Sequence, residues 1–203
     1  MRFILLVLVA LSFFGVKASA DSRLGVSMGA STLNYSDTDK KDVSLKNSFS
    51  GLEFVKHDKN GNLRHYFEYR NSNSKSDKTD GIVLHYSSQE ILYKIGYAIH
   101  GERRGGVAVV PKYFFGLGAD EFYFENISEV RESNRTEEAS LLEPNSVPHG
   151  WEIAVEMLFE NAYLEAGLKK YDSTFEIKYL NSESAEIKQQ SLSGFLTVGL
   201  KWR

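Results

Sequence analysis

The chain of 203 residues contains no cysteine. No disulfide can staple it, and no thiolate can bind a metal or act as a nucleophile. An exported chain built this way needs another source of stability, and a closed β-barrel in lipid is one. Prolines number only three, so long strands can run without a break. Basic residues are not in excess: 24 Lys and Arg stand against 27 Asp and Glu, a net charge of −3, which leaves no electrostatic footprint for nucleic acid. Beyond the first twenty residues no apolar run approaches the roughly 18 residues of a spanning helix.

What is present begins with "MRFILLVLVALSFFGVKASA". Arg2 supplies a positive end, residues 3–14 an apolar stretch, and Ala18-Ser19-Ala20 a small-residue cleavage site. This pattern predicts a secretory signal peptide over 1–20 and a single mature domain over 21–203. A membrane anchor is the alternative, for which the stretch is short. Cleavage would remove Arg2 and Lys17 and leave 22 basic residues against 27 acidic ones, a net charge of −5.

Period two dominates the rest. In "GWEIAVEMLFE", Trp151, Ile153, Val155, Met157 and Phe159 share one face, while Glu152, Ala154, Glu156, Leu158 and Glu160 share the other. "QEILYKIGYAIH" sets Ile91, Tyr93, Ile95, Tyr97 and Ile99 against Glu90, Leu92, Lys94, Gly96, Ala98 and His100. The stretches at 106–118, 162–170, 23–31, 48–56, 62–70 and 192–202 alternate similarly, making eight strands. The connections alternate too. Residues 57–62, 100–105 and 160–161 are short turns, with Asn60-Gly61 at the first tip. Residues 36–42, 71–81, 119–150 and 172–190 are longer and polar. Short turns on one side and long loops on the other characterise outer-membrane barrels.

Alternation alone does not say which face is inside. A soluble barrel binding an apolar ligand in the periplasm would turn the charges outward. Three features favour the inverse. Gly25, Ser27, Gly29, Gly51, Gly96, Gly116, Gly167 and Gly199 lie on the charged face, where small residues make room in a barrel interior just wide enough for side chains. The charges on that face also balance: Glu53, Glu68, Glu152, Glu156 and Glu165 can meet Arg64, Arg70, Lys94, Lys112, Lys169 and Lys201 in a polar, plugged lumen. Aromatic residues such as Trp151, Phe159, Tyr93, Tyr113, Tyr69 and Trp202 sit toward the ends of the apolar runs, as interfacial girdles do. The predicted fold is an all-β, eight-stranded, antiparallel up-and-down transmembrane barrel with short periplasmic turns and long extracellular loops.

On these grounds the chain resembles the small eight-stranded outer-membrane proteins of Gram-negative bacteria, the OmpX, OmpA-barrel and opacity-protein type. In that family the last strand ends in an aromatic residue preceded by alternating apolar ones, which the barrel-assembly machinery reads. Leu196, Val198, Leu200 and Trp202 match this pattern, and Arg203 after the aromatic departs from it. The resemblance implies residence in the bacterial outer membrane among lipid and lipopolysaccharide. It also implies handling by periplasmic chaperones and the assembly machinery, no cofactor, and a structural or adhesion-like role through extracellular loops toward an unidentified host or other partner.

Candidate chemistry is sparse. "LHYSSQE" places His85 and Ser87 two apart on one strand face. It is similar to the H-x-S element of outer-membrane lipid A deacylases, in which His activates Ser. Ser88 replaces the asparagine of that element, and the stretch lies mid-chain rather than near the end. A non-enzymatic barrel is therefore the expectation, with a lipid A-modifying enzyme as the alternative. His65, His100 and His149 show no metal-ligand spacing. "SDTDKKD" offers Asp37, Asp39 and Asp42 without the glycine or closing glutamate of a calcium loop. The segment 119–150, with Asp120, Glu121, Glu125, Glu129, Glu132, Glu137, Glu138 and Glu143, reads as an acidic solvated loop.

Overall fold

The alternating stretches form long antiparallel strands because branched and aromatic residues on one face, and small or paired polar residues on the other, both suit a pleated surface. A computed structural model describes residues 22–36, 42–58, 61–75, 82–99, 106–126, 145–178 and 184–202. Residues 1–21, where the signal peptide is expected, Asp37, Asp39, His100, Arg203 and the segment 127–144 lie outside them. The strands are β1 (Ser22–Ser36), β2 (Asp42–His57), β3 (Leu63–Lys75), β4 (Ile82–Tyr97), β5 (Gly106–Asn126), β6 (Asn145–Ser146), β7 (His149–Leu158), β8 (Ala162–Lys178) and β9 (Ser184–Trp202).

Each strand pairs with its sequence neighbour, and β9 pairs with β1, so the sheet closes. The two-residue β6 prolongs β7. Phe115 opposite His149 and Gly118 opposite Ser146 keep one register along β5. The gap falls at Pro148, which accepts a bond from Gly116 N–H at 2.8 Å but has no N–H to return. The wall thus has eight staves, as the alternation predicts. Following partners around it from Ser22 leads through Lys56, His65, Ile95, Tyr113, Trp151, Lys170 and Leu192 back to Thr32 on β1. A stagger of ten residues over eight strands corresponds to a tilt of about 40°.

The faces sort cleanly. Leu24, Val26, Leu52, Val109, Phe115, Leu117, Ile153, Val198 and Leu200 are exposed on the outside, Leu117 at 70%. Arg23, Glu53, Glu68, Lys94, Lys112, Glu152, Glu156, Glu165 and Lys169 are buried inside. This inverts a soluble barrel. Two of the three expected tight lower turns are seen, the one at 100–105 lying outside the described residues: Gly61 takes a φ of 77°, and Gly61 N–H donates to Asp58 O at 3.1 Å. Phe159 N–H donates to Ala162 O at 2.9 Å across Glu160-Asn161.

The upper connections are shorter than the sequence suggests. Residues 119–126 are not loop but the end of β5, paired with β4 from Ile82 to Gln89. β3 runs on to Lys75, and β8 and β9 pair through Lys178 and Ser184. Above an apolar layer both faces of a strand are polar, so alternation vanishes while hydrogen bonding continues. Removing residues 129–142 leaves every described strand intact. It should preserve the shift between unboiled and boiled protein on a denaturing gel, because shortening a connection changes closure entropy little. Removing 122–147 takes out the end of β5 and all of β6, and should weaken that shift.

Candidate functional site

The lumen is organised in layers of charge. At the lower end, Arg23 on β1 and Arg64 on β3 both place Nη1 on Glu156 Oε2, at 2.6 and 2.5 Å. His57 and Lys201 face inward at the same end. In the middle, Lys94 Nζ lies 2.9 Å from a carboxylate oxygen of each of Glu53, Glu68 and Glu152. Lys169 reaches Glu152 at 3.1 Å and Glu68 at 3.6 Å. Lys112 pairs with Glu165 and lies 3.6 Å from Glu152. Higher up, Arg70 pairs with Glu90, which also accepts a hydrogen bond from the Tyr171 hydroxyl at 2.5 Å. The Tyr86 hydroxyl donates to Asp120 at 2.7 Å.

Glycine and aromatic residues complete the packing. A Cβ at Gly25 would fall 2.2 Å from the Tyr163 hydroxyl, and one at its register partner Gly199 2.3 Å from the ring, so that side chain needs both glycines. Tyr163 in turn lies beneath the Arg23 guanidinium, 5.3 Å from ring centroid to Cζ. Lys112 Nζ stands 4.1 Å from the Tyr66 centroid, and Lys169 Nζ 4.3 Å from that of Phe114. An internal cavity of about 10 Å³, lined by Ser31, Asn47, Phe49, Arg70 and Tyr171 among others, has room for about one water.

Of the charges inferred from sequence, Glu53, Arg64, Glu68, Arg70, Lys94, Lys112, Glu152, Glu156, Glu165 and Lys169 come together in these pairs. Lys201 faces in at the lower rim, where its N–H donates to Asn161 O at 3.0 Å. Sequence reasoning missed four inward groups. Arg23 sits at the very start of β1. Glu90 was on the charged face but outside the inferred network. Asp120 was assigned to a loop. His57 was assigned to a turn. With Arg23, Glu90 and Asp120 included, buried cations and carboxylates among the described residues number seven each, so the lumen is balanced. Burying charge without such balance would cost several kcal/mol per ion.

The assembly pattern Leu196, Val198, Leu200 and Trp202 lies on the outer face of β9, along its pairing with β1. The Trp202 ring is 6.4 Å from that of Phe54. His85 and Ser87 also face outward, at the upper end of β4. The register sets Lys75 and Asn73 opposite them on β3, and Tyr123 and Glu121 on β5. No group of three potential ligands able to hold a metal occurs among the described residues.

No protein-family model matches the chain. No curated protein matches it either. Solved structures do. The attachment invasion locus protein Ail of Yersinia pestis is similar at a TM-score of 0.51 and 10% identity, over 89% of this chain and 99% of that one. The outer membrane protein OprG of Pseudomonas aeruginosa is similar at 0.50 and 12%, over 91% and 96%. The fold is that of the small eight-stranded outer-membrane barrels. At these identities the likeness concerns the fold, and the residues that fill this lumen are argued from this chain alone.

Proposed function

We propose that this chain is an integral protein of the bacterial outer membrane, non-enzymatic, with a lumen closed by ion pairs and a structural or surface-interaction role carried by its upper rim and loops. The inverted barrel supports this reading most directly. A wall that exposes Leu24, Val26, Leu117, Val198 and Leu200 while burying, among the described residues, fifteen Arg, Lys, His, Asp and Glu side chains suits lipid outside and not water. Its partners on this reading are outer-membrane lipid and lipopolysaccharide, with the assembly machinery and periplasmic chaperones during biogenesis.

The lumen layers support closure. Lys94, Lys112 and Lys169 cross-link β4, β5 and β8 to carboxylates on β2, β3, β7 and β8. Reconstituted protein in planar bilayers should therefore show no steady conductance of porin size. Open channels of that size would contradict a plugged lumen.

One observation favours a second reading, a lipid-hydrolysing enzyme. His85 and Ser87 share the outer face, and a carboxylate residue, Glu121, stands opposite Ser87 by register. A nucleophile, a base and an acid on one rim would suit ester cleavage. Incubating the protein with acylated lipid A and measuring released fatty acid decides between the readings. The non-enzymatic one expects no release above background. Release abolished by S87A would establish the enzyme.

A further inference from the structure

The outer face of β2, β3 and β4 changes chemistry in steps as it rises. Cross-strand rows run Phe54–Phe67–Tyr93, then Leu52–Tyr69–Ile91, then Ser50–Asn71–Gln89, then Ser48–Asn73–Ser87, and last Lys46–Lys75–His85. Two apolar rows are followed by two rows of hydroxyls and amides, and these by a row of three basic residues. Lys46 stands directly opposite Lys75, and Lys75 directly opposite His85. Residues placed so have Cβ atoms about 5 Å apart, and the two like-charged lysines in that position repel. An anion shared between them turns the repulsion into attraction.

The surroundings suit an oxyanion. Lys46, Ser48, Asn73, Lys75, His85 and Ser87 border an open groove of about 350 Å³. None of the five rows contains a carboxylate; by register Glu121 on β5 stands across from Ser87, and Thr32 on β1 across from Lys46. The height is also informative. The basic row lies six residues beyond Leu52–Tyr69–Ile91 on strands tilted about 40°, so roughly 15 Å higher along the barrel axis. Continued around the tilted wall, that last apolar row passes to the exposed Leu117, opposite Ile91 on β5, and so rises further. Lysine stems bend toward such a boundary while keeping the ammonium in the polar layer, where lipid phosphates lie. Among the described residues of the lower rim, Lys56 stands between Ser22 and His65, with no second lysine beside it.

We propose that Lys46, Lys75 and His85, with Ser48 and Asn73 as hydrogen-bonding neighbours, bind the phosphate of an outer-leaflet lipid headgroup. The inference rests on the outer-membrane reading and deepens it by naming where on the barrel, and through which group, lipid is recognised. A lysine pair and an imidazole present donors to a phosphomonoester without needing any change in the wall.

The test titrates refolded protein in neutral detergent with fluorescently labelled lipid A carrying both phosphates, its dephosphorylated form, and inorganic phosphate as competitor. The wild type should bind the phosphorylated lipid, and K46Q/K75Q should bind it at least tenfold more weakly. K56Q removes one such charge at the lower rim and should bind as the wild type does. Equal binding by K46Q/K75Q and the wild type, or equal binding of the dephosphorylated lipid, overturns the proposal. Competition by inorganic phosphate at concentrations similar to the lipid would make this a free-anion site and overturn the lipid assignment. Gel mobility of the unboiled variant checks its fold, and K75Q alone, expected to lose a smaller part of the affinity, serves if the double variant does not fold. Failure of the wild type to insert into vesicles would remove the membrane reading itself. Insertion with unchanged lipid binding by the variant would remove only this site.

Discussion

Replacing Lys94 by methionine should destabilise the barrel by about 3–5 kcal/mol, the range for removing one partner from a buried charge cluster. Lys94 Nζ lies 2.9 Å from each of three carboxylates on three different strands, Glu53, Glu68 and Glu152. Methionine fills similar volume but leaves those carboxylates facing one another in a packed interior. Glu68 and Glu152 retain Lys169, and Lys112 stays 3.6 Å from Glu152, while Glu53 loses the one ion pair described for it. Changing Glu53 to glutamine in the Lys94→Met background should therefore recover part of the loss. The measurement is the folded fraction in vesicles across a urea series, read by gel mobility. Equal stability of wild type and Lys94→Met would mean that the cluster is solvated rather than packed.

Val198→Arg should cost about 2–4 kcal/mol, the range for a basic residue facing hydrocarbon near mid-bilayer. Val198 lies on the outer face of β9, half exposed, between Leu196 and Leu200. Gln190→Arg, on the same face and strand but above the last apolar residue, Leu192, should cost no more than about 1 kcal/mol, because the penalty fades at the interface. The depth dependence is the diagnostic. In a soluble barrel both arginines would meet water and fold alike. Sequence reasoning would choose Thr197→Arg as the tolerated control. The structure argues against that choice, since Thr197 is fully buried and its methyl would lie 2.9 Å from a Cβ at Gly25.

The strand pattern was legible wherever one face met an apolar environment. Trp151 to Phe159 and Leu192 to Trp202 alternate without a break, and their faces follow from the glycines beside the charges. The same logic fails above that layer. Asp120 looks like one more acid in a polar stretch, yet it points inward and accepts the Tyr86 hydroxyl. Ser72, Ser74 and Ser173 are likewise buried in strands that composition reads as loop. Inward orientation of Lys94 could be read from its neighbours Leu92 and Gly96. Its meeting Glu53 and Glu152 could not, because β2 and β7 reach β4 only across the lumen. The basic row on β2–β4 was invisible for a related reason. Lys46, Lys75 and His85 are far apart in sequence and become neighbours only through the register.

The central claim is that this barrel presents an apolar wall to lipid. Expressing the full chain in a Gram-negative host, separating the envelope, and running the outer-membrane fraction on a denaturing gel with and without boiling tests it most directly. A closed barrel has no free edge and resists detergent until heated. The account predicts protein in the outer-membrane fraction that migrates differently before and after boiling. Recovery in the soluble periplasmic fraction, with the same mobility in both lanes, would contradict it.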